Sequence, residues 1–157
     1  MPALIQNTPS FLIPKELFKE EKMKEYGYIL FAKNQYEYIG KDVLNSFFLL
    51  YPKPKEEDTI HTITVLYHNF QEQYVSEKNG ICFNVYEDGL NLLVLKDKNI
   101  VYTGFFNIQA KEDIAYHLAN VTQQFFDDIS QITFYYQNIS DKIFQFLDKY
   151  FEMKKLL

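Results

Sequence analysis

The sequence predicts a mixed α/β fold whose C-terminal part runs in the order β-β-β-α-β-α. Three apolar segments between residues 81 and 106 are separated by turn residues, which predicts an antiparallel meander. A helix with a regular apolar stripe follows, then a short aromatic strand and a second helix. Strands and helices in this order indicate a layered α/β domain with a mixed sheet.

The meander is the clearest part of the pattern. Ile81, Phe83 and Val85 alternate with smaller or more polar residues, so the first strand is expected to end near Glu87. Asp88-Gly89 is typical of a hairpin turn. The second strand is then LNLLVLK, the next turn is DKN, and the third strand is IVYTGFFNI.

Two helices complete this part of the chain. The first carries an apolar residue at positions i, i+4, i+7 and i+11, which are Ile114, Leu118, Val121 and Phe125. The segment QITFYYQN predicts a strand between them. The second helix, SDKIFQFLDKYFEM, has Ser140 as its expected N-cap. Its inward face is predicted to be Ile143, Leu147, Tyr150 and Phe151.

The first 57 residues predict a strand–helix–strand–helix order with weaker signals. Residues 8–13 form a candidate strand, and Pro14 opens a candidate helix that Gly27 ends. The segment from Tyr26 to Lys41 is ambiguous between helix and strand. The apolar run from Val43 to Tyr51, which follows Gly40 and precedes Pro52, predicts one buried strand.

A connecting segment is predicted to join the two parts. PKPKEEDT is a charged, proline-containing loop, and residues 58–78 favour a helix capped by Asp58 or Thr59. A strand is the alternative, because Ile63, Val65 and Tyr67 also alternate. The expected organisation is therefore a partial N-terminal half at 1–57, a connecting helix at 58–78 and a C-terminal subdomain at 79–157.

Composition excludes several classes of protein. The chain has 157 residues, 47% of them hydrophobic and 24% charged, which is typical of a globular protein. A net charge of −5 argues against nucleic-acid binding. No stretch is long and apolar enough to predict a membrane span, and MPALIQNTPSFLIP has no secretory signal pattern. With Cys82 as the single cysteine, we expect a cytoplasmic protein without disulfides.

Two segments carry a resemblance to a known family. FLIPKELFKEEKMKEY (11–26) and NGICFNVYEDGLNLLVLKDKNIVYTGFFNIQAKEDIAYHLANVTQQF (79–125) resemble the DUF3822 family of Bacteroidetes. The shared positions are Ile13-Pro14, Leu17-Phe18, Leu92 to Ile100, Phe105-Phe106 and Glu112-Asp113. The resemblance implies a bacterial protein with an actin-like (ribonuclease H-like) fold and no assigned activity.

Members of that family are longer and begin with a further β-hairpin. The resemblance therefore implies that this chain is shortened at its N-terminus, or that a partner or second copy supplies the missing strands. A sheet lacking strands has an exposed edge that can pair with another chain.

The turn at Glu87, Asp88 and Gly89 is the one candidate for cofactor binding. An actin-like ATPase needs an acidic residue there for metal-bound water and a small-residue turn for phosphate. It also needs a glycine-rich approach to the nucleoside, and the chain has no glycine after Gly104. We therefore expect a plain hairpin turn and no cofactor, with Mg-ATP as the alternative.

Other reactive residues have simpler interpretations. His61 and His68 are seven residues apart, but two histidines without a third ligand make a poor metal site. His117 lies beside a helical apolar stripe, and Asp127-Asp128 is expected to be a solvated helix end. Cys82 in an apolar strand is expected to be a buried, inert thiol.

Three hypotheses follow for function. The first is a non-catalytic interaction or scaffold module, a degenerate actin-like pseudo-ATPase that binds a protein partner or itself through an exposed sheet edge. The second is a nucleotide-dependent ATPase that uses the turn at Glu87–Gly89. The third is a small-ligand pocket between the two halves, lined by aromatic residues.

Overall fold

A computed structural model describes residues 3–30, 38–54 and 57–157, apart from the side chains of residues 29 and 30. The predicted mixed α/β class is confirmed, with strands, helix, strands and helix followed by β-β-β-α-β-α and one more strand. The strands are β1 (Leu4–Gln6), β2 (Phe11–Pro14), β3 (Tyr38–Leu44), β4 (Phe47–Lys53), β5 (Thr59–His61), β6 (Gly80–Tyr86), β7 (Gly89–Lys96), β8 (Asn99–Asn107), β9 (Thr133–Gln137) and β10 (Glu152–Lys155). The helices are α1 (Met23–Leu30), α2 (Thr62–Gln73), α3 (Lys111–Phe125) and α4 (Asp141–Leu147).

The C-terminal part is built on one five-stranded sheet in the order β10-β9-β6-β7-β8. The meander β6-β7-β8 is antiparallel, and β9 and β10 add in parallel beside β6. The predicted meander, α3 and β9 are all present. The turn between β6 and β7 consists of Glu87 and Asp88, so Gly89 begins β7 instead of forming the turn.

The sheet buries both of its faces, which explains its strongly apolar strands. Ile81, Phe83 and Leu92 pack in the core that α3 and α4 cover. Cys82 and Leu93 point to the opposite face and pack against α2. Each fully buried side chain of this size contributes about 1.5–3 kcal/mol, so these two cores determine the fold.

The end of the chain differs from the prediction. The second helix begins after Ser140 as predicted, and the Ser140 hydroxyl accepts a hydrogen bond from the N–H of Ile143 at 3.2 Å. It stops at Leu147, however, and residues 152–155 form β10 beside β9. Tyr150, predicted to face inward, is 64% exposed. Tyr150 and Phe151, the aromatic residues that suggested a longer helix, lie instead in the turn that leads into the edge strand β10.

The N-terminal half contains more strands than predicted. A three-stranded sheet has the order β2-β4-β3, and a two-stranded parallel sheet pairs β1 with β5. The predicted single strand from Val43 to Tyr51 is a hairpin, because Asn45 adopts a positive φ of 53° and begins a turn. Gly40 was predicted to interrupt the pattern but lies inside β3, where the ring of Tyr51 covers it.

The first helix was also predicted too early. Pro14 ends β2, two short 3₁₀ turns follow, and α1 begins only at Met23. Gly27 lies inside α1 rather than at its end. Much of the ambiguous segment that follows, residues 31–37, is outside the described residues, as are Lys55 and Glu56 of the predicted boundary loop.

The connecting helix exists but starts later than predicted. Residues 59–61 form β5, and α2 begins at Thr62 and ends at Gln73. Its N-cap is His61, whose Nδ1 accepts the N–H of Ile63 at 3.1 Å. The expected caps, Asp58 and Thr59, are therefore wrong. Ile63, Val65 and Tyr67, whose alternation suggested a strand, all lie within α2, so the helix alternative is the correct one for these residues.

Candidate functional site

A cleft of about 820 Å³ lies between the N-terminal half and one end of the five-stranded sheet. One wall is the extended segment from Ala3 to Thr8, which includes β1. The other wall is the turn from Tyr86 to Gly89, together with Phe105 and Asn107 of β8. The cleft exists because the pairing of β1 with β5 holds the N-terminal segment opposite the β6–β7 turn.

Glu87, Asp88 and Gly89, for which phosphate binding was the alternative to a plain hairpin turn, all line this cleft. The side chains of Glu87 and Asp88 are exposed, and the Asp88 carbonyl accepts a hydrogen bond from the N–H of Ile108 at 2.7 Å. A Cβ atom on Gly89 would lie 2.8 Å from Cε2 of Phe105. Glycine is therefore required here so that an aromatic ring can pack on the backbone.

The charged side chains that line the described part of the cleft are acidic. Among the described residues that line it, Glu87 and Asp88 are the only charged ones, and there is no lysine or arginine. Two carboxylates repel a phosphate that carries no metal ion, whereas an actin-like ATPase uses an acidic residue at this turn for metal-bound water. The backbone of Gly89, which would have to approach the phosphate, is covered by Phe105.

The wall formed by residues 3–8 is held by a buried histidine. His61 has no solvent exposure, and its Nε2–H donates to the carbonyl of Thr8 at 2.7 Å. Because its Nδ1 accepts from Ile63, both ring nitrogens have fixed roles and the ring is neutral. Burial lowers the pKa of His61 to about 4.

A partly buried carboxylate, Asp42, organises the same junction. Asp42 accepts hydrogen bonds from the N–H of His61 at 2.8 Å, the hydroxyl of Thr64 at 2.6 Å and the hydroxyl of Tyr51 at 2.8 Å. The Tyr51 hydroxyl also contacts Thr59 Oγ1 at 3.0 Å, and burial raises the pKa of Tyr51. Asp42 thus ties β3, β4, β5 and the start of α2 together.

Two buried amides lie next to the cleft on the same face of the sheet. Asn84 donates to Asn7 Oδ1 at 2.9 Å and to Thr62 Oγ1 at 2.8 Å. Asn91 lies directly opposite Asn84 and opposite Phe105, and it is 0% exposed. In the described part of the chain, neither polar atom of Asn91 has a hydrogen-bond partner, nor does Asn84 Oδ1. Buried amides without partners are unusual in stable cores.

The free edge of β1 faces the cleft. The N–H of Leu4 donates to the carbonyl of Asp58 at 2.9 Å, so Leu4 is a residue that bonds toward β5. In a strand the backbone groups of the next residue point the other way, so the N–H and C=O of Ile5 point away from β5. The side chains of Leu4 and Ile5 are 47% and 49% exposed. Within the described chain, β1 pairs only with β5.

The remaining candidates do not form a reactive site. His61 is buried at the end of β5 whereas His68 is exposed on α2, and His117 stacks on Phe106 at 4.1 Å. Among the described residues, no group of three or more His, Cys, Asp or Glu side chains is placed to hold a metal ion. Asp128 caps a 3₁₀ turn through Ser130, and burial raises the pKa of the fully buried Cys82 thiol, as expected for an inert cysteine.

Comparison with solved structures identifies the architecture. A crystal structure from Bacteroides thetaiotaomicron, described as a protein with an actin-like ATPase fold and unknown function, superposes with a TM-score of 0.79 over 96% of this chain at 18% identity. The chain has an actin-like fold. It spans 65% of the length of the Bacteroides chain, which is therefore a longer protein.

Other comparisons add little. An AlfA filament bound to AMPPNP matches 98% of this actin-like chain and 52% of its own length, with a TM-score of 0.48 and 13% identity, and this weaker likeness adds nothing to the assignment. No model of a known protein family matches the sequence, and no curated protein matches it. None of the described helices is both long and apolar enough to cross a membrane.

The histidine and the amides were missed as site residues at the sequence level. His61 and Asp42 are 19 residues apart in sequence, so their contact depends on strand pairing that the pattern did not predict. The amides do leave a signal, because Asn84 and Asn91 each interrupt a strand that is otherwise apolar. Two polar residues at facing positions of a predicted hairpin point to a buried polar pair.

Proposed function

We propose that this chain is a non-catalytic interaction module, a pseudo-ATPase with an actin-like fold, which binds an extended segment of a protein partner in the cleft. The observation that carries the proposal is the free edge of β1, which lies within a run of six consecutive residues, 3–8, that line the cleft. Strand addition at an edge of this kind supplies main-chain hydrogen bonds, and alternate side chains supply specificity.

The two-stranded sheet that contains β1 is incomplete by ordinary standards. Isolated two-stranded sheets are marginally stable, and parallel strands are normally covered on both faces. Leu4 and Ile5 are adjacent residues whose side chains point to opposite sides of the strand, and both are about half exposed. A further strand in the cleft would pair with the backbone of Ile5 and cover apolar surface of β1.

Substitution of Ile5 by proline tests the proposal without disturbing β1 itself. Proline removes an N–H that points away from β5, and proline is tolerated at strand edges. The matched control is Ile5→Val, which keeps the N–H and nearly the same shape. Peptides selected from a random twelve-residue phage library should bind Ile5→Pro about tenfold more weakly than Ile5→Val, as expected for one lost hydrogen bond. Equal affinities, or no selected peptides, would refute strand addition.

A second copy of the chain is the alternative occupant of the edge. Light scattering across a concentration range distinguishes the two cases, because strand exchange between copies gives a dimer mass that Ile5→Pro abolishes. A monomer at all concentrations assigns the cleft to a different protein.

Nucleotide binding is the second candidate function, and one observation favours it. The predicted Glu87-Asp88-Gly89 turn lines the cleft between the two halves of an actin-like fold. A thermal melt with and without Mg-ATP tests it. The proposal expects no shift in melting temperature; an upward shift of several degrees would assign ATP to the cleft.

We further propose that the chain is a cytoplasmic member of the DUF3822 family. The support is the set of residues quoted above, the likeness to a Bacteroides protein of unknown function, and a lone buried cysteine. An alignment of that family's members with this chain tests the assignment: Ile13-Pro14 and Glu112-Asp113 should align without gaps around them. Misalignment of both pairs would remove the support.

A further inference from the structure

The charge of the cleft indicates what kind of segment it takes. We propose that the partner segment is basic, with a lysine or arginine that lies against the carboxylates of Glu87 and Asp88. This inference rests on the proposed function, since it names the chemistry of a segment that adds to β1.

The acidic side chains of the cleft are complementary in charge to a basic segment. Among the described residues of the cleft, Glu87 and Asp88 are the only charged side chains, and both are exposed. The Asp88 carbonyl is held by the N–H of Ile108, so the backbone that carries both carboxylates is fixed. Two like charges carried on a fixed backbone attract an opposite charge and disfavour an acidic segment.

The surface around these carboxylates carries exposed apolar and aromatic side chains. Leu4 and Ile5 are half exposed, Tyr86 is exposed at the rim, and Phe105 lines the cleft. A segment with alternating side chains would place apolar residues on this surface, and a basic side chain can extend its aliphatic stem over Tyr86. Six extended residues span about 20 Å, so a partner segment of this length would reach along residues 3–8, of which Leu4–Gln6 form β1.

A third observation points independently to an unfilled polar environment at this end of the sheet. Asn91 is fully buried, and neither of its amide atoms has a partner within the described chain. It lies on the same face as Gly89, two residues away, and directly opposite Phe105. A bound segment that displaces the ring of Phe105 would bring its own backbone, or an ordered water, within hydrogen-bonding distance of the Asn91 amide.

The test uses the same random twelve-residue peptide library, selected against three versions of the intact chain. Wild type should enrich peptides with lysine or arginine over those with aspartate or glutamate. The neutral variant Glu87→Gln/Asp88→Asn should lose this preference, and its affinity for a selected basic peptide should fall about threefold to tenfold, as for exposed ion pairs. The difference should shrink as salt rises.

The matched control removes two carboxylates from the opposite end of the same sheet. Glu77→Gln/Asp97→Asn changes the net charge by the same amount, and Asp97 occupies the β7–β8 turn with a positive φ, as Glu87 does in its own turn. The control should keep the preference for basic peptides. If it loses the preference equally, the effect is one of overall charge and the inference is wrong.

The outcomes separate this inference from the proposal beneath it. Peptides that lose affinity for Ile5→Pro but show no charge preference leave strand addition intact and overturn the basic partner. Enrichment of acidic peptides also overturns it. If no peptide depends on Ile5, both fail together.

Discussion

Replacement of His61 by asparagine should change how the stability of the protein depends on pH. The structure fixes His61 in its neutral form, since Nε2–H donates to Thr8 and Nδ1 accepts from Ile63. Its pKa is about 4 in the folded chain against 6.5 as the ordinary value, because burial disfavours the charged ring. Asparagine is a good helix N-cap and does not titrate in this range.

The magnitude follows from proton linkage. A histidine with a lowered pKa binds fewer protons when the chain is folded, so the free energy of unfolding falls as pH drops from about 6.5 toward 4. Between pH 7.5 and pH 5 the loss due to this one group is about 2 kcal/mol. The carboxylates contribute equally to wild type and variant, so the difference between the two proteins isolates His61.

Urea unfolding at pH 7.5 and pH 5 measures this effect. Wild type should lose about 2 kcal/mol more than His61→Asn over that interval. At pH 7.5 the free energy of unfolding of His61→Asn should be about 1–3 kcal/mol lower than that of wild type, because the Thr8 carbonyl loses its hydrogen-bond donor. The control is His68→Asn, at an exposed position on α2, which should behave as wild type. Parallel pH profiles for wild type and His61→Asn would refute the buried neutral histidine.

Three further predictions concern the same region. Asp42→Asn should lower the free energy of unfolding, measured in urea, by about 2–3 kcal/mol, because an amide cannot accept all three of the hydrogen bonds that Asp42 receives. A loss below about 0.5 kcal/mol, which is typical of a surface substitution, would contradict the network. Gly89→Ala should lower the melting temperature, and Phe105→Leu in the same chain should recover part of the loss, since Cβ and the ring compete for space; additive losses would contradict this. Asn91→Leu should raise the free energy of unfolding by about 1–2 kcal/mol, because it removes two buried polar atoms that have no partner; a loss of stability would indicate a buried water at this amide.

The C-terminal part of the fold could be predicted because its signals are local. The strands β6 to β8 are separated by tight turns, and α3 carries a regular apolar stripe, so neighbouring residues determine each element. The end of the chain could not be predicted in the same way. Residues 152–155 read as a continuation of α4, and only the free edge of β9 makes them a strand.

The N-terminal half was predicted less well because its elements depend on distant partners. β1 and β5 are each three residues long and exist only through their parallel pairing. The apolar run that contains β4 hid the turn at Asn45, since every residue around that turn except Asn45 and Ser46 suits a strand. Elements shorter than four residues give too little periodicity to detect.

The sequence pointed to one wall of the candidate site but not to the other. Glu87, Asp88 and Gly89 line the cleft, although only Glu87 and Asp88 form the turn and Gly89 begins β7. The sequence did not show why residue 89 is a glycine. The ring that packs against Gly89 belongs to Phe105, which lies 16 residues later in the adjacent strand β8. The N-terminal wall of the cleft escaped prediction altogether, because the contact between His61 and Thr8 spans 53 residues.

Hydrogen exchange along the two walls of the cleft tests the central claim most directly. Exchange would be measured by mass spectrometry for residues 3–8 and 86–89, with a selected peptide and with Mg-ATP in parallel. The account predicts that the peptide slows exchange at Ile5 and its neighbours, whereas Mg-ATP changes neither wall. Protection of residues 86–89 by Mg-ATP, without protection of residues 3–8 by any peptide, would contradict it.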